Sequence, residues 1–207
     1  MGQVSALRLL NLTAAFDTVG HQLLLHCLER QFGLRGVVLV WFASYLIDRS
    51  FRVLLDGGDM SAGVSVSSSI CPQGSALGPR LFVLYMADFT DVVDRHNVKF
   101  HGYADDFQMY VHCQRHNTVS TIFRLGHCVA DIGHSMAAKR LQMNPTKTEL
   151  LWTGSEHNIT MLGSRAPAMQ LGSDTVTASD HVRVLGVTFS SDPVSYTHLT
   201  LPTILRV

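Results

Sequence analysis

The residues most able to do chemistry are two adjacent carboxylates, Asp105 and Asp106. They sit within Phe100-His101-Gly102-Tyr103-Ala104-Asp105-Asp106-Phe107-Gln108-Met109-Tyr110-Val111. Val98, Phe100 and Tyr103 precede the pair, and Phe107, Met109 and Val111 follow it with polar residues between them. That alternation, broken by Ala-Asp-Asp, reads as a β-hairpin with both acids at its tight turn. An isolated Asp-Asp is ordinarily a solvated turn, because Asp tolerates turn geometry. Side by side, though, the two charges repel unless solvent or a cation separates them. Hard divalent cations are bound by carboxylate oxygens of this kind.

The rest of the chain must form the frame that holds such a turn. At 207 residues, 46% hydrophobic and 15% charged, the composition is that of a globular chain with a real core, well away from disorder. Lys plus Arg and Asp plus Glu are both 16, so the formal net charge is zero. A free-standing nucleic-acid binder is usually more basic, so any such role must rest on a local site or on segments outside this chain. The longest apolar run, Val37 to Ile47, is too short to span a bilayer. No charged leader with a cleavage site is visible, so an intracellular rather than secreted protein is expected. Asn11-Leu12-Thr13 and Asn158-Ile159-Thr160 match the glycosylation pattern, which is common by chance. Cys27, Cys71, Cys113 and Cys128 form no Cys-x-x-Cys pair and suit ordinary buried thiols in a reducing compartment.

In chain order, Leu7 to Thr13 reads as a buried strand. A helix with Leu24, Cys27, Leu28 and Phe32 on one face follows, closed by Gly33. Gly36 opens a second helix, Val37 to Ile47, whose apolar composition predicts burial. Phe51 to Leu55 and Val64 to Ser68 read as paired strands. Cys71-Pro72-Gln73-Gly74-Ser75 is a loop, with Ser75 as the cap and Pro79 in the first turn of a helix bearing Phe82, Tyr85, Phe89 and Val92. After the carboxylate hairpin, Val119 to Leu141 is the clearest amphipathic helix, through Ile122, Leu125, Val129, Ile132 and Met136. Lys147 to Trp152 is a short strand, 153 to 180 a polar loop with weak strands, and Val182 to Phe189 a last strand with Gly186 inside. The expected class is α+β, an antiparallel sheet carrying the hairpin with helices packed on one face.

Four segments, in order, carry a family resemblance. They are Asn11-Leu12-Thr13-Ala14-Ala15-Phe16-Asp17-Thr18-Val19, Pro72-Gln73-Gly74-Ser75, Tyr103-Ala104-Asp105-Asp106 and Leu141-Gln142-Met143-Asn144-Pro145-Thr146-Lys147-Thr148-Glu149. They resemble motifs A to D of the reverse transcriptase palm of non-LTR, LINE-like retrotransposons, and Leu185-Gly186-Val187 resembles the motif that follows. The resemblance implies RNA-directed DNA synthesis, with an RNA template, a DNA primer and dNTP as partners and no membrane. It also implies two Mg²⁺ ions, held about 3.5–4 Å apart to stabilise the attacking and leaving oxygens. Asp105 and Asp106 would hold metal, Phe16 would gate the sugar, Gln73 and Gly74 would line the nucleotide and template pocket, and Lys147 would approach the triphosphate. Asp17 matches a structural position of the family. Residues 1–192 would be the palm. Fingers, thumb and endonuclease would lie largely outside this stretch. Residues 193–207 depart from the pattern and read as adaptor-derived or frame-shifted sequence.

Position 11 departs from the family: Asn11 stands where the third metal-binding Asp is expected. An amide oxygen can touch a cation but brings no charge, so the resemblance implies a catalytically impaired copy. The alternatives are a non-catalytic relic or a remnant that binds RNA or a partner. A zinc site from Cys113, His116, His127 and Cys128 has the right residue types, but the adjacent second pair would diverge on a helix. No nucleophile elbow supports a hydrolase.

Overall fold

The structure is a computed structural model that describes residues 2–47, 50–51, 64–65, 75–144, 147–163, 166–171 and 174–191. Its elements run β1 (Gln3–Thr13), α1 (His21–Phe32), α2 (Val37–Leu46), β2 (Ser50–Phe51), β3 (Val64–Ser65), α3 (Gly78–Tyr85), α4 (Phe89–Arg95), β4 (Lys99–Tyr103) and β5 (Asp106–Gln114). They continue with α5 (Thr118–Ala138), β6 (Gln142–Met143), β7 (Glu149–Gly154), α6 (Glu156–Leu162), β8 (Met169–Leu171), β9 (Asp174–Val176), β10 (Ala178–Ser179), β11 (His181–Val184) and β12 (Val187–Ser190). The fold is α+β, as the residue pattern implies.

The chain divides into two compact units. The first holds β1 as far as Leu12, the stretch Phe89–His134 and the described residues from Met143 onward. Its main sheet places five strands in the order β10-β7-β1-β5-β4. β1 is central because it is antiparallel to both β5 and β7, with Leu7 opposite Tyr110 on one side and Leu151 on the other. Strand periodicity then sorts its side chains. Val4, Ala6, Arg8, Leu10 and Leu12 are buried on one face, while Ser5, Leu7 and Asn11 on the other are half-buried. On that second face Leu9, Leu151 and Val182 form a cluster, with Leu7 and Val184 packed against it. β11 and its partner β12 therefore cover part of the face that carries Asn11.

The carboxylate hairpin is tighter than the sequence implies. Tyr103 pairs with Asp106, so Ala104 and Asp105 alone make the turn and Asp106 is the first residue of β5. Ala104 takes φ 53°, a left-handed conformation rare for residues other than Gly. Gly102 permits the hairpin's packing, since a Cβ there would lie 3.2 Å from the Phe107 ring. That ring stacks on Phe100 at 5.5 Å between centroids and meets Phe89 of α4 edge-on at 6.3 Å.

The second unit comprises Thr13–Asp88 and Ser135–Gln142. α1 buries Leu24, Cys27 and Leu28 and ends at Gly33, whose φ of 66° is the left-handed cap the sequence calls for. Ser75 Oγ accepts the Gly78 N–H at 2.9 Å, and Pro79 lies in the first turn of α3. The predicted single helix through Phe82, Tyr85, Phe89 and Val92 is two helices, α3 and α4, with all four side chains buried.

Three further expectations are corrected. α2 is not a buried helix: Val37 is 86% exposed, Trp41 51%, and only Leu46 is buried. Apolar composition on every side gives no face preference, and among the described residues α1 is the element packed against α2. The stretch 153–180 contains α6, which a polar surface concealed, and Ser155 precedes its first turn. Val182 to Phe189 is a hairpin rather than one strand. Leu185 and Gly186, at φ 48° and 86°, form its turn, and Gly186 is the signal that marks it. α5 matches its reading, with Ile122, Leu125, Val129, Ile132 and Met136 all buried. Of the strand pair expected at 51–55 and 64–68, β2 and β3 are antiparallel, and the remainder lies outside the described residues.

Candidate active site

The ends of β1 and β5 bring Asn11 and Asp106 directly opposite each other. Residues so paired project to the same face with their Cβ atoms close together. Asn11 Nδ2 donates to Asp106 Oδ1 at 3.0 Å. The carboxylate can only accept, so it is the amide nitrogen that faces it. The tip is anchored on the chain's own backbone, because the Asn144 N–H donates to the Asn11 carbonyl at 2.8 Å. Thr148, buried, donates its hydroxyl to the Asn144 carbonyl at 2.6 Å and so fixes the segment that carries Lys147.

A cleft of about 310 Å³ opens on this face. Its polar lining is Asn11, Asp106, Gln108, Lys147, Glu149 and Arg183. Strand register explains the grouping. Gln108 and Glu149 both pair with Leu9, two residues from Asn11 on the same side of the sheet. Arg183 comes from β11, next to Val182, which seats that strand against Leu9 and Leu151.

Among the residues singled out from the sequence, Asn11, Asp106 and Lys147 therefore meet in one cleft. Asp105, half-buried at the turn, does not line it. Phe16 belongs to the second unit, where its ring lies 4.7 Å from that of Phe82. Gln73 and Gly74 lie outside the described residues, as do Cys71 and residues 193–207. Sequence reading missed Gln108, Glu149 and Arg183. The first two were legible from strand alternation, Gln108 with Asp106 and Glu149 with Lys147. Arg183 depends on a long-range hairpin contact that no local pattern shows.

The donors present do not make a two-cation site. Among the described residues no three His, Cys, Asp or Glu side chains stand close enough to hold a metal ion. At the position facing Asp106 stands an amide nitrogen, which repels a cation rather than ligating it. The zinc alternative does not assemble either: Cys128 is buried on α5, with its thiol pushed up to about 12 by burial, while His127 is exposed.

A mostly antiparallel sheet whose edge hairpin, β4 to β5, carries a carboxylate turn beside the end of its central strand β1 defines a polymerase palm-type fold. The solved structures agree. The chain resembles apo telomerase from Candida tropicalis truncated from its C-terminal domain, with a TM-score of 0.59 and 11% identity, over 92% of this chain and 35% of that one. It equally resembles telomerase from Candida albicans in complex with a fragment of telomeric RNA, with a TM-score of 0.59 and 12% identity, over 92% and 31%. At these identities the likeness concerns the fold. The sequence itself matches the reverse transcriptase (RNA-dependent DNA polymerase) family over residues 2–189, and the chain belongs to that family. It is also 35% identical over 102 residues to the RNA-directed DNA polymerase from the mobile element jockey of Drosophila melanogaster. That match covers 47% of this chain and 11% of the relative, so the chain spans a small part of the curated protein it matches. Reverse transcriptases generally use divalent metal ions. Among the described residues no helix is long and apolar enough to cross a membrane.

Proposed function

We propose that this chain is the palm portion of an RNA-directed DNA polymerase of a LINE-like mobile element, impaired in nucleotidyl transfer by Asn11. The palm assignment covers residues 1–192, with 193–207 outside the family pattern. The observation that carries the reading is the register of Asn11 against Asp106, beside Lys147, in one cleft. It supports position 11 and Asp106 as the metal-facing positions of the family, with Asp105 as the adjoining carboxylate at the turn.

In this reading Lys147 meets the triphosphate, where a cation offsets charge on the leaving pyrophosphate. Gln73 and Gly74 line the nucleotide and template pocket, and Phe16 gates the sugar. Template RNA and primer DNA are the partners, and Mg²⁺ is the cation the ancestral site took. With an amide at position 11 the chain's own residues bind and orient substrate better than they catalyse. An RNA-binding remnant is the second reading. It is favoured by Lys147 and Arg183, two cations that line the same cleft as Asn11.

Primer extension tests the first reading. Asn11→Asp, placed in the full-length element, is expected to raise extension about 100-fold or more over the Asn11 form, since loss of a metal-site partner costs at least that order. Equal extension by the two forms sinks it. Salt-dependent RNA binding without extension by either form leaves the remnant.

A further inference from the structure

The contact between Asn11 and Asp106 does more than remove a ligand. Two carboxylates at directly opposed positions of an antiparallel pair have acceptors and no donor between them, and like charges so placed destabilise the pairing. A cation lying between the two carboxylates relieves that repulsion. In this chain the Asn11 amide supplies the missing donor itself, at an ordinary 3.0 Å. The cleft is also balanced without an ion. Its charged lining is Lys147 and Arg183 against Asp106 and Glu149, two positive and two negative. An Asp at position 11 would leave it with one excess negative charge.

We infer that Asn11 makes the stability of this palm independent of divalent cations: the amide clamps β1 to β5 in the place where an acidic pair would repel and a metal would relieve it. The inference rests on reading positions 11 and 106 as the family's metal-facing pair. It extends that reading from activity to stability. Glu149 and Asp105 do not replace the lost acid. Glu149 lies on the neighbouring strand β7 opposite Leu9, diagonal to Asn11, and Asp105 sits at the turn and does not line the cleft.

Thermal unfolding of the full chain in EDTA, in millimolar Mg²⁺ and in millimolar Mn²⁺ tests this. The Asn11 form is expected to melt at one temperature in all three. Asn11→Asp is expected to melt about 3 °C or more lower in EDTA and to recover by roughly 5 °C or more with either metal. The swapped double variant, Asn11→Asp with Asp106→Asn, restores one amide facing one carboxylate and is expected to lose the metal response again. Should Asn11→Asp fail to fold in EDTA, circular dichroism during Mn²⁺ titration replaces the melt, and recovery of structure supports the clamp. A metal-induced rise in the Asn11 form that disappears in Asp106→Ala overturns the inference while leaving the metal-facing pair intact. Absence of any metal response in Asn11→Asp, folded or unfolded, overturns the reading of the pair itself.

Discussion

Among the described residues each unit buries one Lys or Arg side chain, and the two are treated differently. In the second unit Lys139 is 8% exposed and fully engaged. Its Nζ donates to Asp88 Oδ1 at 2.5 Å and to the Tyr85 carbonyl, and the Tyr85 hydroxyl donates to the Lys139 carbonyl at 2.7 Å. In the first unit Arg8 is 0% exposed in the middle of β1, on the same face as Ala6 and Leu10. Its Nε and both terminal nitrogens are buried with no hydrogen-bond partner among the described residues. The comparison separates a designed buried charge from an intruding one. A cation in a core is tolerable when its donors are met, and Lys139 stitches two segments of its unit together at no large net cost. An unmet guanidinium charges the fold the full desolvation penalty. Arg8 stands three residues before Asn11 on the same strand, so the unmet charge lies close to the cleft that holds Asn11 and Asp106.

The sharpest way to break the comparison is to remove the intruder. Desolvation lowers the Arg8 pKa to about 10 from 12.5, which corresponds to about 3 kcal/mol against the folded state. Arg8→Leu is expected to raise stability by about that amount, or roughly 6–12 °C in melting temperature for a chain of this size. The sign follows from linkage. A base whose folded pKa is lowered burdens the fold fully below the folded value, and the burden lifts only as pH rises from about 10 toward 12.5. The gap between Arg8→Leu and the parent is therefore expected to be flat from pH 6 to 9, and no gap at all would mean that Arg8 finds partners in solution. Smaller, and opposite in sign, is the effect of orphaning the designed cation. Asp88→Ala takes the carboxylate partner from Lys139 and is expected to lose about 2 kcal/mol, less than for a wholly buried pair because the Asp88 side chain is 30% exposed. Lys139→Met with Asp88→Ala should recover most of that loss, as measured by urea unfolding.

Much of this frame was legible in the sequence, and the failures share a cause. The amphipathic α5, the Gly33 cap and the carboxylate hairpin are written in local periodicity and turn chemistry, which are properties of neighbouring residues. The register of Asn11 against Asp106 is not local, yet the order of motifs around it located both partners. What local reading could not show was orientation against the rest of the molecule. α2 is apolar on all sides and gives no indication of which side is covered. Leu185-Gly186 reads as strand until the positive φ values make it a turn. Arg8 lies amid Leu7, Leu9 and Leu10 in a stretch that reads as a buried strand, and only the burial of its face, with Val4, Ala6, Leu10 and Leu12, shows that the charge itself is enclosed.

The weakest charge pair completes the comparison from the exposed side. His96 Nε2 and Asp131 Oδ2 lie 2.8 Å apart between α4 and α5, with side-chain exposures of 20% and 49%. The hydrogen bond from His96 holds the Asp131 carboxyl below its usual range against an opposing desolvation, and the charges of His96, Arg95 and His134 add to the lowering. Solvent screens such a pair, so Asp131→Asn is expected to change the melting temperature less than either substitution at a buried cation. Because the folded pKa is depressed, whatever stability the pair contributes is present above the ordinary carboxylate range near pH 4 and is lost as pH falls through the lowered value. Melting curves of parent and Asp131→Asn should thus differ slightly at pH 6, converge in acid, and converge again in high salt. Arg8→Leu should keep its advantage in molar salt, because no solvent ion reaches a guanidinium with zero exposure. A salt-sensitive Arg8 gap beside a salt-insensitive Asp131 gap would invert the ranking, and would place the guanidinium in water rather than in the sheet.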